Sequence, residues 1–179
     1  MADTYTLKVA GLTRELQICP VNDKLDIAAF IMFSDVELTI ATATELVKKC
    51  PECDIIITAE SKGIPLAYEM SRQTGKKYIV ARKSIKLYMK NPVGIDVQSI
   101  TTSAKQMLYL DSNDMLELKD KRVLIVDDVI STGESINSVV TLVEKAGGIV
   151  VGKAAVLAEG DAADRTDIIF LEKLPLFFK

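Results

Sequence analysis

The stretch RVLIVDDVISTGES, from Arg122 to Ser135, decides the fold. Val123, Leu124, Ile125 and Val126 form a continuous apolar run, the pattern of a strand covered on both faces. Two adjacent carboxylates, Asp127 and Asp128, end that run. A turn containing Ser131, Thr132 and Gly133 follows, and a helical pattern begins near Ser135. Strands covered on both faces belong to parallel sheets, and parallel sheets bind ligands at the carboxyl ends of their strands. The expectation is therefore an α/β protein, with a mainly parallel sheet flanked by helices and a ligand beside Asp127.

Working outward, the same alternation recurs. DIIITA from Asp54 is a second buried strand, and ESKG follows it. Pro65 suits the first turn of a helix, which runs to about Thr74 with Gly75 as its stop. KKYIVARK is another strand. Residues 84–113 are weaker: NPVG breaks the chain, VQSITTSAKQMLYL is polar and then strand-like, and DSND reads as a turn. The helix after Ser135 reaches about Ala146, where Gly147 and Gly148 stop it before the strand IVVGKAAVL. EGDAADRTD reads as a loop, with IIFL and LPLFF closing the chain. Upstream, SDVE at residues 34–37 has the spacing of a capping box and opens a helix to Lys49. Residues 26–33 read as a shorter helix before it, and YTLKVAGLTRELQI as short strands and turns.

Composition narrows the chemistry. The chain has 179 residues, enough for one domain with a sizeable core. A net charge of -3 supplies no basic field, so nucleic acid is not an expected partner. No apolar run reaches the length of a membrane span and the N-terminus lacks a signal-peptide pattern, so no membrane partner is expected and the cytoplasm is the default. Histidine is absent, which removes Ser-His and Cys-His nucleophiles and His-ligated metals. Of the three cysteines, Cys50 and Cys53 form CPEC, at a helix end rather than a helix start. A low-pKa redox pair favours a helix start, so a structural role is expected.

The loop chemistry then asks for a ligand. Backbone N–H groups and hydroxyls at a helix start suit a phosphate monoester. Adjacent carboxylates suit a sugar's vicinal hydroxyls, with magnesium nearby. A ribose 5-phosphate satisfies both, although strand-end acids that merely face solvent are common in α/β proteins.

VLIVDDVISTGES resembles the phosphoribosyl-pyrophosphate (PRPP) motif of type I phosphoribosyltransferases. AESKG resembles that family's pyrophosphate loop, ARKSIKL the Arg-Lys segment of its adenine and xanthine members, and VQSITTSAKQMLYL lies where they carry a flexible loop. The order matches from about Leu12 to Leu171. The resemblance implies one domain over residues 1–179: a hood at about 1–25 with C-terminal contributions, a core at about 26–171, and a flexible loop at about 91–106.

It also implies the site. Asp127 and Asp128 would hold the ribose, with Lys105 from the flexible loop as a further catalytic cation. Ser131, Thr132, Gly133, Glu134 and Ser135 would hold the 5-phosphate, Glu134 through its backbone alone. Ser61, Lys62, Gly63, Arg82, Lys83 and Lys86 would receive the pyrophosphate. Leu12, Thr13 and Arg14 would face the base, with residues 159–161 closing the other side. Magnesium would be held mainly by PRPP, with no direct protein ligand and Asp127 acting through water.

The implied partners are PRPP, a purine base and a second copy of the chain in a homodimer. Two departures bear on the base. TGES replaces the common Thr-Gly-Gly-Thr, and Asp96 is the one acid between Pro92 and Tyr109. Adenine is the base expected first, then xanthine or hypoxanthine and guanine, with Arg14 or Lys153 as a donor toward an oxopurine. The alternative from another class is a non-catalytic PRPP-sensing regulator; the residues before the first helix are too few for the DNA-binding domain those relatives carry.

Overall fold

The computed structural model describes residues 4–97 and 106–179. The chain opens with three antiparallel strands, β1 (Thr4–Val9), β2 (Leu12–Asn22) and β3 (Leu25–Ala28). Ala10 and Gly11, both with positive φ, make the β1–β2 turn, as a two-residue hairpin requires. Then follow α1 (Val36–Lys49), β4 (Ile55–Ala59), α2 (Ile64–Thr74) and β5 (Lys77–Ala81). A ribbon of β6 (Val93–Val97) and β7 (Gln106–Leu110) precedes α3 (Ser112–Leu118). β8 (Arg122–Ile130), α4 (Glu134–Lys145) and β9 (Ile149–Glu159) come next. A 3-10 turn (Gly160–Asp164), β10 (Ile169–Leu174) and β11 (Leu176–Phe178) complete the chain.

The central sheet has the order β10-β9-β8-β4-β5, and every pairing in it is parallel. Its middle strands are buried on both faces: all five residues of β4 are buried, as are Val123 to Val126 of β8. One face packs Ile56, Leu124 and Val156 against Leu46 of α1 and Met70 of α2. The other packs Ile57, Ile125 and Ala155 against Val139 and Leu142 of α4 and Leu108 of β7. Burial of apolar side chains on both sides is what fixes this layering.

The N-terminal sheet has the order β1-β2-β3-β11, so the last strand of the chain closes the first unit. Its third strand ends at Ala28. Residues 26–33 are not helical. Leu25 and Ile27 pair with Phe178 and Leu176 of β11, a contact across the whole chain that local periodicity cannot register. The capping box is also displaced by one residue. Asp35, not Ser34, caps α1 by accepting from the Leu38 N–H at 3.0 Å, and Ser34 has φ 68°. DSND starts a helix, α3, because Asp111 accepts from the Asn113 and Asp114 N–H groups at 2.8 and 2.9 Å. The segment after β9, read as loop, holds the 3-10 turn.

Candidate active site

β4 and β8 are neighbours, so their carboxyl ends bring the loop after Ala59 against Asp127. The approach is close enough to dictate a glycine. A Cβ on Gly63 would collide with the Thr58 hydroxyl and stand 2.9 Å from Asp127 Oδ1. α2 begins directly after Gly63, with Pro65 in its first turn. The Glu60–Ser61 peptide bond is cis. A cleft of about 360 Å3 opens here, lined by Glu60, Ser61, Lys62, Lys83, Asp127 and Asp128, with Ser135 at its edge.

The two acids differ. Asp128 is 3 % exposed, and its Oδ2 is buried without a hydrogen bond. Lys62 Nζ approaches that oxygen to 3.3 Å, an ion pair whose angles do not make a hydrogen bond. Asp127 Oδ1 accepts from the Asp128 N–H at 2.9 Å. Burial, and then the adjacent Asp128 charge, push the Asp127 carboxyl well above the usual carboxylate range. A buried acceptor that takes no hydrogen bond, beside a carboxyl whose charged form burial disfavours, is suited to hydroxyl donors or a cation.

The turn after β8 makes a second concavity. Residues 130–136 and Asp127 enclose about 60 Å3, of single-anion size. Gly133 stands at the N-cap of α4 with φ 83°, a conformation that favours glycine. Gly133 has no side chain with which to cap this helix, and Thr132 Oγ1 accepts from the Glu134 N–H at 3.5 Å, which sets that hydroxyl beside the positive end of the helix dipole.

Cations gather on the opposite flank through one carboxylate. Glu60 accepts from the Lys83 N–H at 2.9 Å and lies 3.7 Å from Arg82 and 3.8 Å from Lys86. That hydrogen bond and those charges hold Glu60 below the usual range. Ser61, Lys62 and Lys83 thus line the cleft, Arg82 and Lys86 flank it through Glu60, and Gly63 packs behind it on Asp127. Lys105, and with it residues 98–105 of the expected loop, lies outside the described residues.

Leu12, Thr13 and Arg14 are not brought to this cleft. Arg14 is bound to Asp35 at 2.7 Å and Glu37 at 2.7 Å, at the start of α1. The part of the hood that reaches the site is the turn from Ile27 to Ile31. With Lys62, Val129, Ser131 and Glu159 it encloses about 320 Å3 beside the acid pair. Burial raises the Glu159 carboxyl, and Lys62 partly offsets the rise. Asp161 is exposed. Lys153 sits in the first half of β9, away from the cleft, and is paired with Asp167. The sequence conceals the hood turn because residues 26–33 mimic a helix, and the exposure of Ile31 shows only in the structure.

Among the described residues, no group of three or more acids and thiols could hold a metal ion. Cys50 and Cys53 are free, and burial pushes the Cys50 thiol up to about 12 and raises Cys53 as well. Thiols so disposed are poor nucleophiles.

The profile of the phosphoribosyl transferase domain matches residues 35–174. The chain belongs to the phosphoribosyl transferase family. Among curated members it is 37 % identical to a hypoxanthine/guanine phosphoribosyltransferase of Methanococcus voltae, over 63 % of this chain and 56 % of that one. A hypoxanthine/guanine phosphoribosyltransferase of Methanotorris igneus is 34 % identical over 84 % of this chain and 83 % of its own length. An adenine phosphoribosyltransferase of Rhodococcus jostii is 32 % identical, covering 70 % and 69 %. The match thus spans little more than half the length of some of these relatives. Among solved structures, an adenine phosphoribosyltransferase from Thermoanaerobacter pseudethanolicus shares the fold, with TM-score 0.74, 22 % identity and coverage of 88 % and 95 %. No described helix is long and apolar enough to cross a membrane.

Proposed function

We propose that the chain transfers the 5-phosphoribosyl group of PRPP to a purine base, releasing pyrophosphate. One observation carries the reading: the acid pair lies between two loops that leave adjacent strands, each beside a concavity, with a half-open slot of mixed lining at its side. Ser131, Thr132, Gly133, Glu134 and Ser135 form the 5-phosphate loop, Glu134 by its backbone. Asp127 and Asp128 accept from the ribose hydroxyls. Ser61, Lys62, Gly63, Arg82, Lys83 and Lys86 receive the pyrophosphate, where negative charge grows as the glycosidic bond breaks.

Preorganised cations and dipoles facing that charge stabilise the transition state more than the ground state. The carboxylates ease the positive charge that develops on the ribose ring. Magnesium fits here as a companion of PRPP: the acid pair, with an Asp128 oxygen that accepts no hydrogen bond, would hold it through water, and it would neutralise pyrophosphate charge. Lys105 completes the proposed catalytic set from the loop.

The base lies in the slot formed by Ile27 to Ile31, Val129 and Glu159. Adenine is proposed first, because Glu159 is an acceptor suited to its exocyclic amine and because Arg14 and Lys153 are both committed to acids. The hypoxanthine and guanine reading has one observation in its favour: Lys62, a donor suited to an oxopurine carbonyl, also lines the slot. The homodimer follows the same reading, with Ile85, Leu87 and Tyr88 offering exposed apolar surface beside Lys83 and Lys86. Sedimentation tests that point. Pyrophosphate release from PRPP and magnesium with adenine, hypoxanthine, guanine and xanthine tests the function. Release with none of them removes the transferase reading, and PRPP binding without release would leave a PRPP-sensing regulator.

A further inference from the structure

Arg165 follows the 3-10 turn after β9, in a segment whose sequence reads only as a polar loop. Asp167 holds it as a fork, accepting from Nε at 2.9 Å and from Nη2 at 2.8 Å. Asp167 is itself fixed by Lys153, on β9. A fork of this kind restrains the guanidinium plane as well as its charge. Nη1 has no hydrogen-bond partner among the described residues. It lies against Gly133, within the space that a Cβ there would occupy, with Cζ 3.5 Å from the same point. Gly133 is the N-cap of α4 and the centre of the turn that encloses the anion-sized concavity.

We infer that Arg165 is a positioning residue for the 5-phosphate: the Lys153–Asp167–Arg165 relay sets one full positive charge behind the Gly133 turn. This rests on the reading of residues 131–135 as the 5-phosphate loop. The loop's own donors are neutral N–H groups and hydroxyls, and a helix N-terminus contributes only about half a charge. A phosphate monoester carries nearly two negative charges at neutral pH. Among the ion-paired cations near the acid pair, Lys62, Arg82 and Lys86 are directed to Asp128 and Glu60, on the pyrophosphate side. Arg165 stands on the 5-phosphate side, and its packing on Gly133 also holds the turn in shape.

The test compares wild type with Arg165→Gln and Arg165→Lys. Ribose 5-phosphate and inorganic pyrophosphate serve as competitive inhibitors against PRPP. Arg165→Gln should raise the PRPP KM and the ribose 5-phosphate inhibition constant roughly tenfold, the scale of one charge-assisted contact at a partly exposed site. The pyrophosphate constant and kcat should stay within about twofold on the same scale, and Arg165→Lys should fall between the two. Parallel loss of both ligands would overturn the inference, since it marks a general structural role. So would an unchanged ribose 5-phosphate constant. A wild type that turns over PRPP but ignores ribose 5-phosphate defeats this inference while leaving the transferase intact, whereas a wild type inert toward PRPP removes the functional reading first.

Discussion

Two loops leave neighbouring strands at the same carboxyl end of the sheet, each passes through a glycine into a helix, and their glycines are required for opposite reasons. Gly63 has φ -75°, which any residue adopts, but no room for a Cβ beside Thr58 and Asp127. Gly133 has φ 83°, which favours glycine whatever surrounds it, and its neighbour is the movable end of Arg165. The first loop is built by close packing against Asp127 and is flanked by cations that Glu60 gathers. The second is built by backbone conformation around neutral donors. In the proposed reaction the first releases a highly charged group in every cycle, whereas the second holds a phosphate that does not react.

The largest expected effect lies between the loops. Asp127→Asn and Asp128→Asn, made singly, should each lower kcat/KM by about 10^3 or more, the upper range for one preorganised electrostatic group. Stability should move the other way for Asp127. Its folded carboxyl is raised, so it favours the folded state at acid pH, and that contribution is lost as pH rises from the usual carboxylate range through the raised value. Asp127→Asn should therefore melt no lower than wild type at neutral pH and higher at alkaline pH. Thermal melts across pH check it. A variant uniformly less stable would mean that the Asp127 charge supports the fold.

The two glycines test the contrast itself. Gly63→Ala should cost about 1–3 kcal/mol through forced repacking and reduce turnover about a hundredfold, because displacing Asp127 misplaces the reacting sugar. Gly133→Ala should cost about 1–2 kcal/mol of backbone strain and act mainly on the PRPP KM. Equal kinetic signatures from the two variants would erase the distinction between a packed loop and a conformational one. Melts and steady-state kinetics with PRPP decide it.

What the sequence disclosed follows the same line. Features carried by local pattern were legible: the β8 run, the acid pair, Pro65 and Gly75 around α2, and the glycine turn into α4. Features set by distant partners were not. β3 exists because β11 pairs with it, and the hood turn that lines the slot depends on that pairing. Ser34 and Asp35 are both good caps, and only the observed φ of Ser34 hands the role to Asp35. The need for glycine at 63 depends on Thr58 and Asp127 across two strands, and Arg165 became visible only beside Gly133.

The smallest effect is expected in the hood, and it decides how the base is read. In the sequence Arg14 stands out as a donor for an oxopurine. In the structure Asp35 and Glu37 take its guanidinium and raise its pKa further, while Arg14 lowers that of Asp35. The same Asp35 caps α1, so Arg14 joins the hood to the first helix. Arg14→Gln should loosen that joint and leave the order of preference among adenine, hypoxanthine, guanine and xanthine unchanged. Ratios of kcat/KM should shift by less than about twofold, against the tenfold or more lost when a base-reading donor is removed. Glu159→Gln is the counterpart, since it replaces an acceptor in the slot with a group that both donates and accepts. It should narrow the gap between adenine and the oxopurines. A change in base order with Arg14→Gln and none with Glu159→Gln would move the base from the Ile27 to Ile31 turn to the β1–β2 side of the hood.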